Sequence, residues 1–347
     1  MAAAAPVLDT LGLFDAAAAL PEQIEAAAAS AATIDDLPEH DAIENVVVLG
    51  MGDSGLAGDI VPVVAGPFMP VPAVVHRGYG IPNFIDQHSL VFALSLSGDT
   101  EETVEATTAA FEAGARLVAV TRGGELARLA AAWDRPWVRL PDDVAVSRSA
   151  LGALAVAPLV ILERIGMYPG GSAWIAAAVE QLRRRRDQLT LEANPAAALA
   201  RRIGRLMPII YGGAGLGGLA AHRWKTQFNQ NAKVAAFANQ VPEANHNELS
   251  GWGQNGDVTR QVFRIVNLRH EFEHPQIARR FELADRVLDE VVAGIDEVVA
   301  EGDGPLAQLL DLVMMGDFVS LHRAAQEGID PGPVPTLTDL ERDLAAR

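Results

Sequence analysis

Apolar residues fall along this chain in two alternating rhythms. Short, mostly apolar runs at Val46–Leu49, Ala73–Arg77, Val91–Leu96, Arg116–Thr121 and Trp137–Pro141 predict strands, the first of them a buried parallel one. Between them, Glu101–Ala113 and Glu125–Ala132 carry apolar positions three and four apart, which predicts helices. Strand and helix in strict alternation predict a doubly wound α/β fold with a parallel sheet. Upstream, Leu8–Ala32 predicts two helices, broken at Pro21, that pack on this first domain. Downstream, Ser149–Ile165 holds no charge before Glu163, so a helix there is expected to lie buried against the core or a partner subunit.

The turn Tyr168–Ser172 (YPGGS) is the expected domain boundary, giving domains at 1–170 and 171–347. A long connecting helix follows, holding four consecutive arginines, Arg183–Arg186. Glu180 and Asp187 flank them, so they read as a solvated face. Pro208–Ala220 (PIIYGGAGLGGLA) repeats the strand, glycine-rich turn and helix of the first domain, which suggests a second domain of the same kind by duplication. This second loop has no serine and is therefore less suited to phosphate. Strands at Val234–Ala238 and Val262–Leu268 and helices over Ile277–Glu301 and Leu306–Glu327 are expected to complete the second sheet. Asp330–Leu344 reads as an extended arm and a short helix.

Composition narrows the function. Of 347 residues, 50% are hydrophobic but only 5% aromatic, so the core is built of Ala, Val, Leu and Ile. Forty-five acids against 27 bases leave a net charge of −18, which argues against nucleic-acid or anionic-membrane partners. The chain has no cysteine, so disulfides, thiolate nucleophiles and zinc–sulfur sites are excluded. The opening MAAAAPVLDT lacks the basic region of a signal peptide, and no apolar run is long enough to span a bilayer; a cytoplasmic protein is expected.

Two loops carry the chemistry of the first domain. In Val46–Asp59 (VVVLGMGDSGLAGD) a strand enters a turn with Gly50, Gly52 and Gly55 beside Ser54, suited to close approach of an anion. The spacing is neither G-x-G-x-x-G nor a P-loop. In the second loop, Ser95, Ser97, Thr100 and Thr103 place four hydroxyls at one strand end, where helix capping needs one. Elsewhere, His270–His274 (HEFEH) matches the H-E-x-x-H zinc pattern, but Pro275 prevents a helix from running through both histidines, so neither a metal nor a cofactor is expected. Arg223–Trp252 is polar beyond what an amphipathic helix needs, with Lys225, Asn229, Gln230, Asn231 and Lys233 followed by Glu243, Asn245, His246, Asn247 and Glu248.

Together GMGDSGLAGD, SLSGDTEET, NQNAK and PEANHNE resemble the sugar isomerase (SIS) domain, and more narrowly the bifunctional phosphoglucose/phosphomannose isomerase family. That resemblance implies two SIS-like domains, a sugar-phosphate substrate, and a homodimer whose site is shared between subunits. It implies phosphate binding by Gly52, Asp53, Ser54, Ser95, Ser97, Asp99 and Thr100. It assigns His246 to ring opening and Arg148, in VSRSAL, to stabilising the cis-enediolate, with Ser147 where the family has proline.

The chain departs from the family pattern at four further positions. Gln230 stands where NENAK has its glutamate base, and Glu341 where the family has a lysine that assists ring opening, unless Arg342 takes that place by a shift of one residue. Asp53 replaces a loop glycine and Asp99 an asparagine. An amide cannot accept the C2 proton, and a carboxylate about 6 Å from a phosphate charge costs about 3 kcal/mol at an effective dielectric near 20. Two readings follow. One is a sugar-phosphate-binding relative with isomerisation weakened or lost; the other is an active isomerase using Glu243 or Glu248 as a displaced base. Whether the chain is an enzyme, and which sugar it takes, is not readable from sequence.

Overall fold

The computed structural model describes residues 7–345; the first six residues, part of the stretch read above against a signal peptide, lie outside them. In chain order, α1 (Leu13–Ala18) and α2 (Leu20–Ala32) precede β1 (Asn45–Leu49), α3 (Gly52–Gly58), β2 (Ala73–His76), β3 (Ser89–Leu94) and α4 (Glu101–Glu112). Then come β4 (Arg116–Thr121), α5 (Gly124–Ala132), β5 (Trp137–Arg139), α6 (Leu151–Arg164) and α7 (Gly171–Leu189). The five strands form one parallel sheet in the order β2-β1-β3-β4-β5, with Val47 opposite both Val74 and Val91. Every residue of β3 is buried, as an apolar run covered on both faces requires. One face is filled by Val47, Leu49 and Val91 against Ala106 and Ala110 of α4. α6 is buried from Leu151 to Leu162 and packs on α2 and α3. A Cβ on Gly152 would lie 2.5 Å from Leu20 Cδ1 and 2.9 Å from Ile24 Cγ1, so glycine sets how closely α2 and α6 approach.

The second half continues with α8 (Pro195–Ile203), β6 (Met207–Gly213), α9 (Leu216–Gln227), β7 (Phe237–Val241), α10 (Gly256–Val262) and β8 (Phe263–Arg269). It ends with α11 (Pro275–Leu288), β9 (Ile295–Val299), α12 (Pro305–Gln326) and α13 (Pro335–Ala345). Its strands are also all parallel, in the order β7-β6-β8-β9. Two doubly wound sheets are thus present. The described residues form two compact units: 19–183 with 302–308, and 7–18 with 184–301 and 309–345.

Four expectations need correction. α1 belongs with the second sheet, not the first, because the Phe14 ring meets the rings of Phe318 and His322. The helix expected over Ile277–Glu301 ends at Leu288; the chain turns just after it, with Val291 N and Val292 N donating to Leu288 O, and Ile295–Val299 pairs with β8 as an edge strand. The strand expected at Val234–Ala238 starts three residues later, at Phe237. Finally, the arginine run is not uniformly solvated. Arg185 is buried, its Nε and Nη2 each donating at 2.7 Å to the two oxygens of Asp311 on α12.

His322 gives the second unit a pH dependence. Its ring sits against Phe14 and Phe318, and burial followed by the charge of Arg201 lowers its pKa from 6.5. The folded state holds the neutral ring, so the unfolded chain takes up the proton first as pH falls below 6.5. Stability present above pH 6.5 therefore declines toward the lowered folded pKa, by up to about 1.4 kcal/mol per pH unit for one proton. His322→Leu is expected to flatten the pH dependence of urea unfolding between pH 6.5 and 5.

Candidate functional site

In the first sheet, strand order reverses between β1 and β3, so their carboxyl ends open the crevice where doubly wound sheets take ligands. Both loops singled out from sequence lie there. The glycines of the β1–α3 loop divide their work. A Cβ on Gly50 would lie 3.1 Å from Gly55 N and 3.2 Å from Leu94 O, and one on Gly55 would lie 2.6 Å from Gly50 O. These two glycines let helix, strand and β3 touch. Gly52, at φ +49, has nothing within 4 Å of its Cβ position and is the glycine that faces open space. Asp53 and Ser54 follow it in the first turn of α3, both buried.

The second loop is a connected set of hydroxyls. Ser95 is 1% exposed; its Oγ accepts from Gly98 N at 3.1 Å and lies 2.9 Å from Thr100 Oγ1 and 3.4 Å from Ser97 Oγ. Ser97 Oγ in turn accepts from Asp99 N at 3.2 Å. Thr100 occupies the N-cap position of α4, yet its side chain makes no capping hydrogen bond. Its hydroxyl points into the cluster, leaving the first amides of α4 without a side-chain acceptor. Uncapped amides, the helix dipole and orientable hydroxyls make a place for an oxyanion. Thr103 Oγ1, one turn further on, is buried without a hydrogen-bond partner.

Asp99 is turned to another task. Its Oδ1 accepts from Glu125 N at 2.8 Å, so the carboxylate caps α5. An asparagine oxygen would make the same bond without the charge. Arg148 lies buried in the turn Ser147–Ser149, which packs on α3. Sequence reading passed over Arg77. It follows β2 directly, its Nε lies 2.8 Å from the Cβ position of Gly55, and its guanidinium pairs with Asp59. The only sequence signal for it was an arginine at the carboxyl end of a strand next to the loop.

The remaining candidate residues belong to the other unit. Gln230 sits in the wide turn Phe228–Ala232 that ends α9. Lys233 closes this turn at φ +56, and its Nζ donates to Gln230 O and, at 3.2 Å, to Pro331 O. His246 is exposed at the end of the short turn Glu243–His246. Glu248 is engaged: its carboxylate accepts from the Tyr211 hydroxyl and, at 2.6 Å, from Asn239 Nδ2. Burial, then the Glu248 charge, push the Tyr211 pKa up and keep that hydroxyl a donor. Glu243 accepts from Asn247 Nδ2 at 2.8 Å. Glu341 is exposed on α13, where its neighbour Arg342 pairs with Asp339 at 2.7 Å.

The HEFEH segment spans a strand–helix junction. β8 ends at Arg269, α11 begins at Pro275, and His274 is its N-cap, its Nδ1 accepting from Gln276 N at 3.1 Å. The two histidines therefore do not share a helical face. Among the described residues, no group of three or more His, Asp or Glu side chains is placed to hold a metal ion.

Comparison with known proteins follows the same lines. Residues 192–344 match the bacterial phospho-glucose isomerase C-terminal SIS domain. The bifunctional phosphoglucose/phosphomannose isomerase of Caldicellulosiruptor bescii is 31% identical over 96% of this chain and 99% of its own. That of Thermoplasma acidophilum is 30% identical over 87% of this chain and 90% of its own. Among solved structures, tagatose-6-phosphate ketose/aldose isomerase from Escherichia coli superposes with a TM-score of 0.69 at 15% identity, covering 95% of this chain and 98% of that one. At that identity the likeness concerns the fold alone.

Proposed function

Because this chain belongs to the family of bifunctional phosphoglucose/phosphomannose isomerases, we propose that it binds a phosphorylated sugar while its aldose–ketose isomerisation is weakened or lost. One observation carries this reading: the base position holds the amide of Gln230, and Glu248, a carboxylate that could replace it, is tied to Tyr211 and Asn239. Isomerisation needs a group that removes a proton from one sugar carbon and returns it to its neighbour, and an amide does neither. Glu243 is less bound, with one hydrogen bond from Asn247, so the displaced-base alternative falls to it. His246 and Arg148 keep the roles that family membership assigns to them, ring opening and enediolate stabilisation, with Glu341 opposing the first. No helix of the described residues is long and apolar enough to cross a membrane. A cytoplasmic homodimer is part of the proposal, and sedimentation equilibrium tests its stoichiometry.

In this reading the phosphate rests on Ser54, Ser95, Ser97 and Thr100 with the first amides of α4, beside Gly52, while Asp53 and Asp99 set its selectivity. Calorimetric titration with glucose 6-phosphate and mannose 6-phosphate tests it. Ser95→Ala with Thr100→Val is expected to weaken binding about 10- to 100-fold, the loss of one or two charge-assisted hydrogen bonds. Asp99→Asn is expected to strengthen it, because the bond to Glu125 N survives while a negative charge leaves the loop. Wild-type affinity unchanged by the double substitution would place the phosphate elsewhere.

A further inference from the structure

In the first sheet the connection from β2 to β3, residues 77–88, is the one that contains no helix. It runs alongside α4. Gly80 N donates to Glu105 Oε1 at 3.1 Å near the helix start, and Gln87 lies 3.8 Å from the Cβ position of Gly114, past the helix end. Ile81 and Ile85 turn inward, packing in the apolar layer that holds Ala106 and Ala110 of α4. Tyr79 turns outward. It is 54% exposed and stands between Gly78 (φ +133) and Gly80 (φ +65), at the end of the connection nearest the α4 start.

The beginning of this connection joins the two loops of the candidate site. His76 O accepts from Gly50 N at 3.3 Å, and Arg77 lies against α3, its guanidinium paired with Asp59. Two residues later the Tyr79 hydroxyl donates to Glu101, with Glu102 and Glu105 as its other charged neighbours. Glu101 is the first residue of α4 and follows Thr100, whose hydroxyl belongs to the cluster with Ser95. The chain from His76 to Tyr79 therefore passes from the β1–α3 loop to the start of α4 and bounds the crevice on the β2 side.

What this wall offers is an aromatic face beside carboxylates. Three acids repel a second anion and accept hydrogen bonds from neutral hydroxyl groups. A hexose has both matching features, apolar C–H faces and a rim of hydroxyl donors, and aromatic side chains with a few placed polar groups are the usual lining of small-molecule sites. We propose that Tyr79 determines specificity for the sugar half of the ligand, its ring packing on a hexose face and Glu101 accepting from a sugar hydroxyl, a role that rests on the phosphate lying at the hydroxyl cluster. Arg77 is a positioning residue here, holding the start of the wall on α3.

The test is NMR of full-length protein labelled at tyrosine. The chain has three tyrosines, and Tyr168 and Tyr211 are buried, so Tyr79 gives the exposed signal and Tyr79→Phe assigns it. Saturating glucose 6-phosphate is expected to shift the Tyr79 ring signals, while inorganic phosphate leaves them in place. Calorimetry should find glucose 6-phosphate bound about tenfold more weakly by Tyr79→Ala, or about 1.4 kcal/mol, with inorganic phosphate unchanged within about twofold. Tyr79→Phe, which keeps the ring, should bind near wild type. Tyr79 signals that glucose 6-phosphate does not move, or a Tyr79→Ala loss equal for both ligands, overturns the proposal. Ser95→Ala with Thr100→Val tells this failure from that of the phosphate position. If that variant weakens both ligands while Tyr79 stays silent, the sugar wall alone fails. If it binds as wild type while Tyr79 responds, the phosphate lies elsewhere and Tyr79 still contacts the sugar.

Discussion

Asp311→Ala is expected to lower the free energy of unfolding by about 3–5 kcal/mol, the loss found when one partner of a buried ion pair is removed. Asp311 on α12 is almost wholly buried and accepts from Arg185 Nε and Nη2 at 2.7 Å each and from Glu301 N at 2.9 Å. Without it the Arg185 guanidinium stays buried, leaving only Glu301, half-exposed at 3.2 Å, and a neutral bond to Gln188. The geometry is a two-pronged pair that a lysine could not reproduce. Replacing both partners with apolar residues, as in Arg185→Met with Asp311→Leu, should be far milder, because no charge is then stranded. Urea unfolding of the three proteins measures this. An Asp311→Ala variant as stable as wild type would mean that water reaches Arg185.

This pair also shows where sequence reading stops. Four arginines in a row flanked by acids read as a solvated face, and nothing in their order marks Arg185 as the one that turns inward. Its partner lies 126 residues away. The first sheet was legible because its central strands β1 and β3 are apolar runs ending at Gly50 and Ser95, buried along nearly their whole length. The end of the second unit was not. Glu290–Glu301 mixes acids with Val and Ala at spacings that suit a helix, and only Gly294 hinted at the break before an edge strand whose burial alternates. Edge strands carry less apolar signal because one side faces water.

The candidate site divides in the same way. The hydroxyl loop was legible because four hydroxyls exceed what one helix start can use, and the fold gives Thr100 to the cluster instead of to capping. Pro275 correctly placed His274 at a helix start rather than within a zinc-binding helix. Arg77 escaped notice because its place against Gly55 follows from strand order, which local pattern does not contain.

The largest expected effect on activity concerns Gln230. Losing a positioned base costs about 10²–10⁴ in rate, and Glu341 adds a negative charge where family members place a cationic group. The tie of Glu248 to Tyr211 and Asn239 removes one substitute. Wild-type turnover of glucose 6-phosphate and mannose 6-phosphate is therefore expected at least about 10²-fold below the common range of about 1–10³ s⁻¹. Glu243→Gln should leave that residual rate unchanged. If it abolishes a substantial rate, Glu243 is the base and the displaced-base alternative holds.

The most direct measurement is a coupled isomerase assay on wild type, Gln230→Glu, and Gln230→Glu with Glu341→Lys, each first shown to bind the sugar phosphate. The account predicts a near-silent wild type, a gain of about tenfold or more on restoring the carboxylate, and a further gain on restoring the lysine. Wild-type turnover within the common enzyme range, unchanged by Gln230→Glu, would contradict it.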